Sequence, residues 1–491
     1  MRVLPVTLLV TASGCAQLFG IDETSGPDVD PSRVSLTMQR WSIGASITKN
    51  PLDLSMESAS FLVDDGAGGF SKVMAEATAN GVFSAPILDG TPPVLFSLPD
   101  VPTPFLRLWS TPARDRSGVF ATFEHPNPQP PPETSTIMFT ATLPSPYVSS
   151  ERFRIEAIGA WTARNLVAAD GLPAPDMGQT TINIPSLAYS SFGRMTNSPA
   201  ARITSQDVVV VERYVGNTLT GVYQVPPFDQ TDAADPITAN LVPVPANRPL
   251  GATIMPNLYA QRFGAVRPAV VGLAQSWVVN AAPGWSIGSN AGPLLHAGSA
   301  AMTDTEITTM FGNPFESLDW RAVFQFATSS SRTYMFMDTV ALPLGAAMYT
   351  VAFPGTLTVD MPAGLPINIR ANLVPLTTDG MTVTIDPTKV VEVDATTDNP
   401  TNTLYIVTLY EVALATDGMS VTRTPLVDAL ATGEAKVRFP GDVFEAGKYY
   451  YFDFKSMQGG YTDAATGDLV NVTLPYSVSR ADSALFQVMA P

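Results

Sequence analysis

Forty-four prolines divide the chain, and between them apolar residues recur at every second position in short runs. A proline lacks the N–H that a helix interior or an inner strand must donate, so elements between prolines are short. A period of two places alternate side chains on opposite faces of a strand. In 152–158, Phe153, Ile155 and Ala157 share one face while Arg152, Arg154 and Glu156 share the other, which predicts a half-buried strand. The runs 136–143, 207–214, 382–385, 403–412 and 449–454 are similarly rich in β-branched and aromatic residues. Asp379-Gly380 and Asp417-Gly418 supply turns, because glycine accepts a positive φ. One helix signal stands out. Thr303-Asp304-Thr305-Glu306 is a capping box before Ile307 and Met310, with Gly312 as the stop, and predicts about two turns. The fold class is therefore mainly β, with tandem β-sandwich domains and very little helix.

At 491 residues the chain predicts three or four domains at roughly 150 residues each. The proline run 125–133 cannot pair inside a sheet and marks one edge, and a second falls at 362–366. The expected units are a sandwich over 34–125, a β-rich region over 134–366 that is one large domain or two with a split near Gly264, and a sandwich over 367–491. With 14% charged and 45% hydrophobic residues the chain has the means to form cores. Its net charge of −17 repels phosphate backbones, so nucleic acid is excluded as an expected partner.

The amino terminus carries an address. Arg2 precedes an apolar run (Val3, Leu4, Val6, Leu8, Leu9, Val10), followed by Ala12, Ser13, Gly14 and Cys15. This order of parts is that of a secretory signal over 1–14, too short to span a membrane, which takes about 20 apolar residues. The Ala-Ser-Gly-Cys step resembles the lipobox of bacterial lipoproteins. That resemblance implies lipidation of Cys15, the sole cysteine of the chain, and Ala16 after it implies passage to the outer membrane. The run 15–23 is similar to the start of large lipoproteins of myxobacterial type. Residues 15–33, with Gly20, Gly26, Pro27 and Pro31 among acidic residues, read as a flexible tether. The implied partner is a membrane held through acyl chains, and the implied location is periplasmic or surface-exposed. With the one thiol consumed, no disulfide or thiolate site remains in the mature chain.

Two further likenesses concern the body. Residues 60–108, with Val63-Asp64-Asp65-Gly66, Asn80-Gly81-Val82-Phe83 and Leu88-Asp89-Gly90-Thr91, resemble the regulatory-type sandwich found beside carboxypeptidases. Residues 367–487, with Leu404-Tyr405-Ile406-Val407 and then Ala446-Gly447-Lys448-Tyr449-Tyr450-Tyr451-Phe452, are similar to a fibronectin type III module.

Several motifs carry chemistry if placed correctly. Gly284-Trp285-Ser286-Ile287-Gly288 fits the nucleophile-elbow string, with His296 ten residues on, but the residues after it read as a loop rather than the required helix. Ser46-Ile47-Thr48-Lys49 fits S-x-x-K without a later K-T-G, and reads as an exposed strand or turn. His125 and His296 are the only histidines, too few for a three-histidine zinc site. Asp229, Asp232 and Asp235 form an acidic loop whose oxygen ligands suit calcium, the one cofactor the sequence suggests. Asp64-Asp65 is a weaker site of the same kind. Of the tryptophans Trp41, Trp109, Trp161, Trp277, Trp285 and Trp320, Trp285 is the candidate binding platform, in a Gly/Ser loop, and Trp161 is expected in a core. No catalytic residue is singled out. The leading expectation is a lipid-anchored envelope protein with a non-catalytic binding or structural role toward a protein or glycan. The alternatives are a hydrolase of sugars or esters with accessory sandwiches, which needs paired carboxylates or a Ser-His set, and carbohydrate adhesion.

Overall fold

The computed structural model describes residues 33–43, 47–52, 60–65, 67–77, 80–86, 95–99, 106–110, 115–122, 129–131, 134–160, 162–166, 176–194, 201–216, 218–245, 248–254, 270–279, 282–298, 305–311, 320–352, 356–359, 363–397, 404–461, 467–469 and 472–491. Among the described residues all regular structure is β, apart from two 3-10 turns at Tyr189–Ser191 and Gly441–Val443. The chain is mainly β and built as tandem sandwiches, as the alternating pattern requires. Strands stand at Thr136–Thr142, Glu151–Ile158, Val208–Val215, Met381–Thr384, Leu404–Leu414 and Tyr449–Gly460. Gly380 and Gly418 adopt φ of 82° and 65° in their turns.

The second sandwich, 134–245, is made from one stretch of chain. A sheet of three strands among the described residues, with Thr136–Thr142 between Thr181–Ala188 and Ala234–Asn240, faces one of six centred on Glu151–Ile158 and Val208–Val215. Phe139, Ile155, Val209, Val211, Ile184 and Ile237 from both sheets share one core. The strand 151–158 departs from the half-buried expectation. Phe153, Ile155 and Ala157 face the core as predicted, yet Glu156 and Ile158 on the outer side are 3% exposed. Val210, Leu219, Val222 and Tyr214 of neighbouring strands are buried there as well, and Thr218–Gln224 meets the strand Ala282–Gly298 of the following unit.

The first and last sandwiches interlock. The first pairs a sheet around Arg33–Ile43 with the strands Ser60–Asp64, Phe70–Met74, Leu95–Pro99 and Leu106–Ser110. Val34, Leu36 and Met38 alternate inward to meet Phe61 and Phe83. The strand Leu106–Ser110 runs parallel to Val421–Ala431, with Leu106 opposite Val427 and Ser110 opposite Ala431. The two sandwiches thus share one sheet, 14-stranded among the described residues. Leu62 and Leu108 pack into the core of the last sandwich with Val407, Val427 and Phe452, while Leu430 and Leu469 pack against the core of the first. A third fastening joins Ser117 to the 467–469 turn. The Ser117 N–H donates to the Gly467 carbonyl at 2.8 Å, and the Leu469 N–H to the Ser117 carbonyl at 2.9 Å.

The third unit, 248–359, contributes a long hairpin. Residues 324–336 of the strand Trp320–Phe336 pair one to one with Val340–Ala352, and residues 346–351 also pair with Thr473–Asp482 of the last sandwich. The distal half of the hairpin runs on past that partner. Its Phe336, Leu342 and Leu344 pack with Val412, Tyr451 and Leu485. Gly345 sits where the hairpin leaves the sheet, and a Cβ there would collide with the Ser330 carbonyl oxygen. The predicted helix at 303–312 is instead the strand Thr305–Phe311, paired with Arg248–Ile254. Thr305, Ile307, Thr308 and Thr309 favour a pleated surface, and pairing overrides a short capping signal.

Candidate functional site

A groove of about 470 Å³ lies between the first and last sandwiches. Its floor is one face of the strand pair Ser60–Asp64 and Phe70–Met74, where Leu62 lies opposite Lys72. One wall is the turn 387–390 and the other is 440–443. The turns fit closely because Gly441 packs against the Asp386 and Lys389 carbonyls, leaving no room for a Cβ. Asp386 shapes the first wall by accepting from the Thr388 N–H at 2.9 Å and hydroxyl at 2.6 Å, bonds that hold its carboxyl below the usual aspartate range. The Lys389 Nζ donates to the Ala67 carbonyl at 2.8 Å, across 322 positions of sequence, and the Val390 N–H donates to the Gly68 carbonyl at 2.8 Å. The Arg438 guanidinium stands 5.3 Å from the centre of the Phe70 ring. The groove therefore sets the apolar Leu62 and Phe70 beside Lys72 and Lys389, and Asp442 is the acidic residue of its lining.

Elsewhere the buried charges fasten elements together. Glu151 and Arg213, both almost wholly buried, form a two-pronged pair, and Arg213 also donates to the Ser145 hydroxyl at 2.9 Å and the Pro146 carbonyl at 3.2 Å. Under the long hairpin, Arg480 bridges Asp453 at 3.2 Å and Asp482 at 3.3 Å, and Lys455 meets Asp453 at 3.3 Å. Burial, then the neighbouring Asp453 charge, raises the Asp482 carboxyl above its ordinary value, while the Gly345 N–H donated to it at 2.7 Å works in the opposite direction. Arg332 holds the hairpin by two hydrogen bonds donated to the Asp379 carboxylate, at 3.1 and 3.2 Å, and by one donated to the Ser483 carbonyl at 2.9 Å.

The residues singled out in the sequence are dispersed. Asp229 accepts from the Ser205 N–H at 2.8 Å, Asp232 pairs with Arg202 at 3.2 Å, and buried Asp235 accepts from the Thr231 N–H and hydroxyl at 3.0 and 2.8 Å. The three carboxylates expected to bind calcium point to three different partners, and no group of three metal-ligating side chains occurs among the described residues. Asp65 is likewise engaged, accepting from the Ala67 and Gly69 N–H groups at 2.7 and 2.9 Å. Trp285, Ser286 and His296 do not lie in a loop. They belong to the strand Ala282–Gly298 at the end of its sheet, where repeated register shifts and an edge position accommodate its glycines and Pro293. Ser286 pairs with Val278 and His296 with Gly272, partners about 20 Å apart at ~3.3 Å per strand residue. A serine–histidine hydrogen bond spans about 3 Å, so the two do not form a catalytic set. Their side chains, and those of Trp109, Trp277 and Trp320, lie outside the described residues, as do Cys15, residues 16–32 of the tether, His125, Trp161 and Gly264, while Arg33 at the end of the expected tether already belongs to the strand Arg33–Ile43. Trp41 is core, its indole N–H bonded to Gln39 at 3.0 Å, and Lys49 of the S-x-x-K string lies on an exposed strand, 4.1 Å from the Trp41 ring centre.

The groove was illegible in the sequence, since Lys72 and Lys389 meet only through the interlock and neither sits in a motif. No protein-family model matches the chain, and no curated protein matches it in sequence. Among solved structures it aligns with native Escherichia coli alpha-2-macroglobulin, at a TM-score of 0.15 and 12% identity, over 93% of this chain and 28% of that one. It aligns with a tetra-tandem repeat from the extending region of a large adhesion protein, at 0.13 and 10%, over 92% and 99%. A third alignment is with E. coli alpha-2-macroglobulin activated by porcine elastase, at 0.15 and 9%, over 94% and 44%. The chain thus spans less than half of either macroglobulin chain. Scores this low describe no shared arrangement of domains, and nothing about the chain's role follows from them.

Proposed function

We propose that the protein is a lipid-anchored component of a bacterial cell envelope, attached through Cys15 and serving a non-catalytic binding or structural role. The observation that carries the role is the interlock: strands from near the start of the chain complete the sheet and core of the last sandwich. Such a body resists bending between its end units, which suits a presenting or load-bearing element. The buried carboxylates support the same reading, because Glu151, Asp453 and Asp482 are each tied to an arginine. The anchor rests on the signal-like order of residues 1–15 and the resemblance of its last four to a lipobox. In cells fed an alkyne-tagged palmitate, the wild-type chain becomes labelled and sediments with membranes, whereas Cys15→Ala is unlabelled and released. An unlabelled wild type, or equal membrane retention of both forms, would overturn the proposal.

A further inference from the structure

We infer that the groove between the first and last sandwiches is a docking site for an extended acidic segment of a partner protein, laid beside the strand Phe70–Met74. This deepens the binding role proposed above and rests on it, but it is independent of the lipid anchor.

Three features converge on that chemistry. Phe70–Met74 is the last strand of its sheet among the described residues, so an extended peptide has a row of backbone groups to pair with. Peptides captured in this way gain affinity from main-chain bonds and selectivity from alternate side chains. Phe70 and Lys72 line the groove, while Val73 turns to the first core. An added strand would therefore set alternate side chains on the face that carries Phe70 and Lys72, which lines the groove. Leu62 and Phe70 select apolar residues there.

Charge selects the rest. The chain as a whole carries −17, so most of its surface repels an acidic ligand. Lys72 on the floor and Lys389 on the wall reverse that sign locally, and Lys389 has two ammonium protons beyond the one donated to Ala67. Asp442, in the same lining, disfavours an acidic side chain placed beside it. The groove's volume also falls within the range of about 300–1,000 Å³ typical of ligand sites.

The test is fluorescence polarisation with the full chain and a short fluorescein-labelled peptide alternating glutamate with valine, beside a counterpart alternating lysine with valine. The acidic peptide should bind, and Lys72→Glu with Lys389→Glu should weaken it at least about tenfold, since attraction becomes repulsion at two points. Lys72→Glu alone should weaken it about threefold, which keeps the test valid if the double variant folds poorly. Arg202→Glu, on the second sandwich, should stay within about twofold. Failure of the acidic peptide to bind, equal binding of the lysine peptide, or unchanged affinity in the groove variants would overturn the inference. Replacing Asp22, Asp28 and Asp30 by Asn and Glu23 by Gln should leave affinity unchanged. A gain there would identify the chain's own acidic segment as the occupant and overturn the partner reading. Palmitate labelling of Cys15 is untouched by any of these outcomes, so loss of the docking site and loss of the anchor are distinguishable.

Discussion

The second and last sandwiches are built from the same kinds of strand but close their cores differently. Among the described residues the second draws its core from 137–241, whereas the last takes Leu62 and Leu108 from the beginning of the chain and is clamped from outside by the hairpin 320–352. The difference separates a unit that owns its stability from one that borrows it. Burying a leucine fully contributes ~1.5–3 kcal/mol, against a typical domain stability of about 5–15 kcal/mol. Two borrowed leucines and the hairpin contacts are therefore a large share of what holds the last sandwich together.

The most drastic way to break the comparison is to cut the chain. A fragment of 129–245 should unfold in one cooperative transition, with its Val210 and Val222 face newly exposed, whereas a fragment of 363–491 should show no sharp thermal transition by circular dichroism. A cooperative 363–491 fragment would erase the distinction. Within the second sandwich, Arg213→Ala should cost about 3–5 kcal/mol in chemical denaturation, because it leaves the buried Glu151 carboxylate without its partner.

The next effect is smaller and depends on pH. Because its folded value is raised, Asp482 contributes stability that is present below the unfolded aspartate value and is lost as pH rises through the folded value. Asp482→Asn, which cannot ionise, should therefore gain in Tm relative to wild type between about pH 4 and neutral. A Tm difference that is flat, or moves the other way, would remove Asp482 as a weak point of the hairpin joint. Smallest of all, Lys49→Ala on the first sandwich should cost ~0.5–1 kcal/mol, the scale of an exposed ammonium over an indole.

The same contrast explains what could be read from residues alone. The alternation in 152–158 reports which side chains face the core, because strand geometry is local, and Phe153, Ile155 and Ala157 follow it even though Glu156 and Ile158 on the other side are covered by a neighbouring unit. Partner choice is not local. Nothing in Leu106–Ser110 distinguishes a partner within its own sandwich from Val421–Ala431, since both offer apolar alternation. The groove inherits that obscurity, as its lysines come together only after the distant pairing forms. The 303–312 helix failed for a related reason: a capping box stabilises a helix by a fraction of what strand pairing along seven residues supplies. The acidic loop at 229–235 looked like one site because its spacing is regular, yet the three carboxylates take separate partners: Asp229 the Ser205 N–H, Asp232 the Arg202 guanidinium and Asp235 the Thr231 N–H.

The shared sheet can be tested at one pair of positions. Ser110 and Ala431 are register partners across the parallel strands, and paired Cα atoms at strand spacing lie within the 4.4–6.8 Å range a disulfide accepts. In a Cys15→Ser background, Ser110→Cys with Ala431→Cys should close a disulfide on mild oxidation and migrate as a compact species in non-reducing gels. If both thiols instead stay reactive in the folded chain and the first sandwich melts separately, the two ends of the molecule are not joined and the interlocked body does not exist.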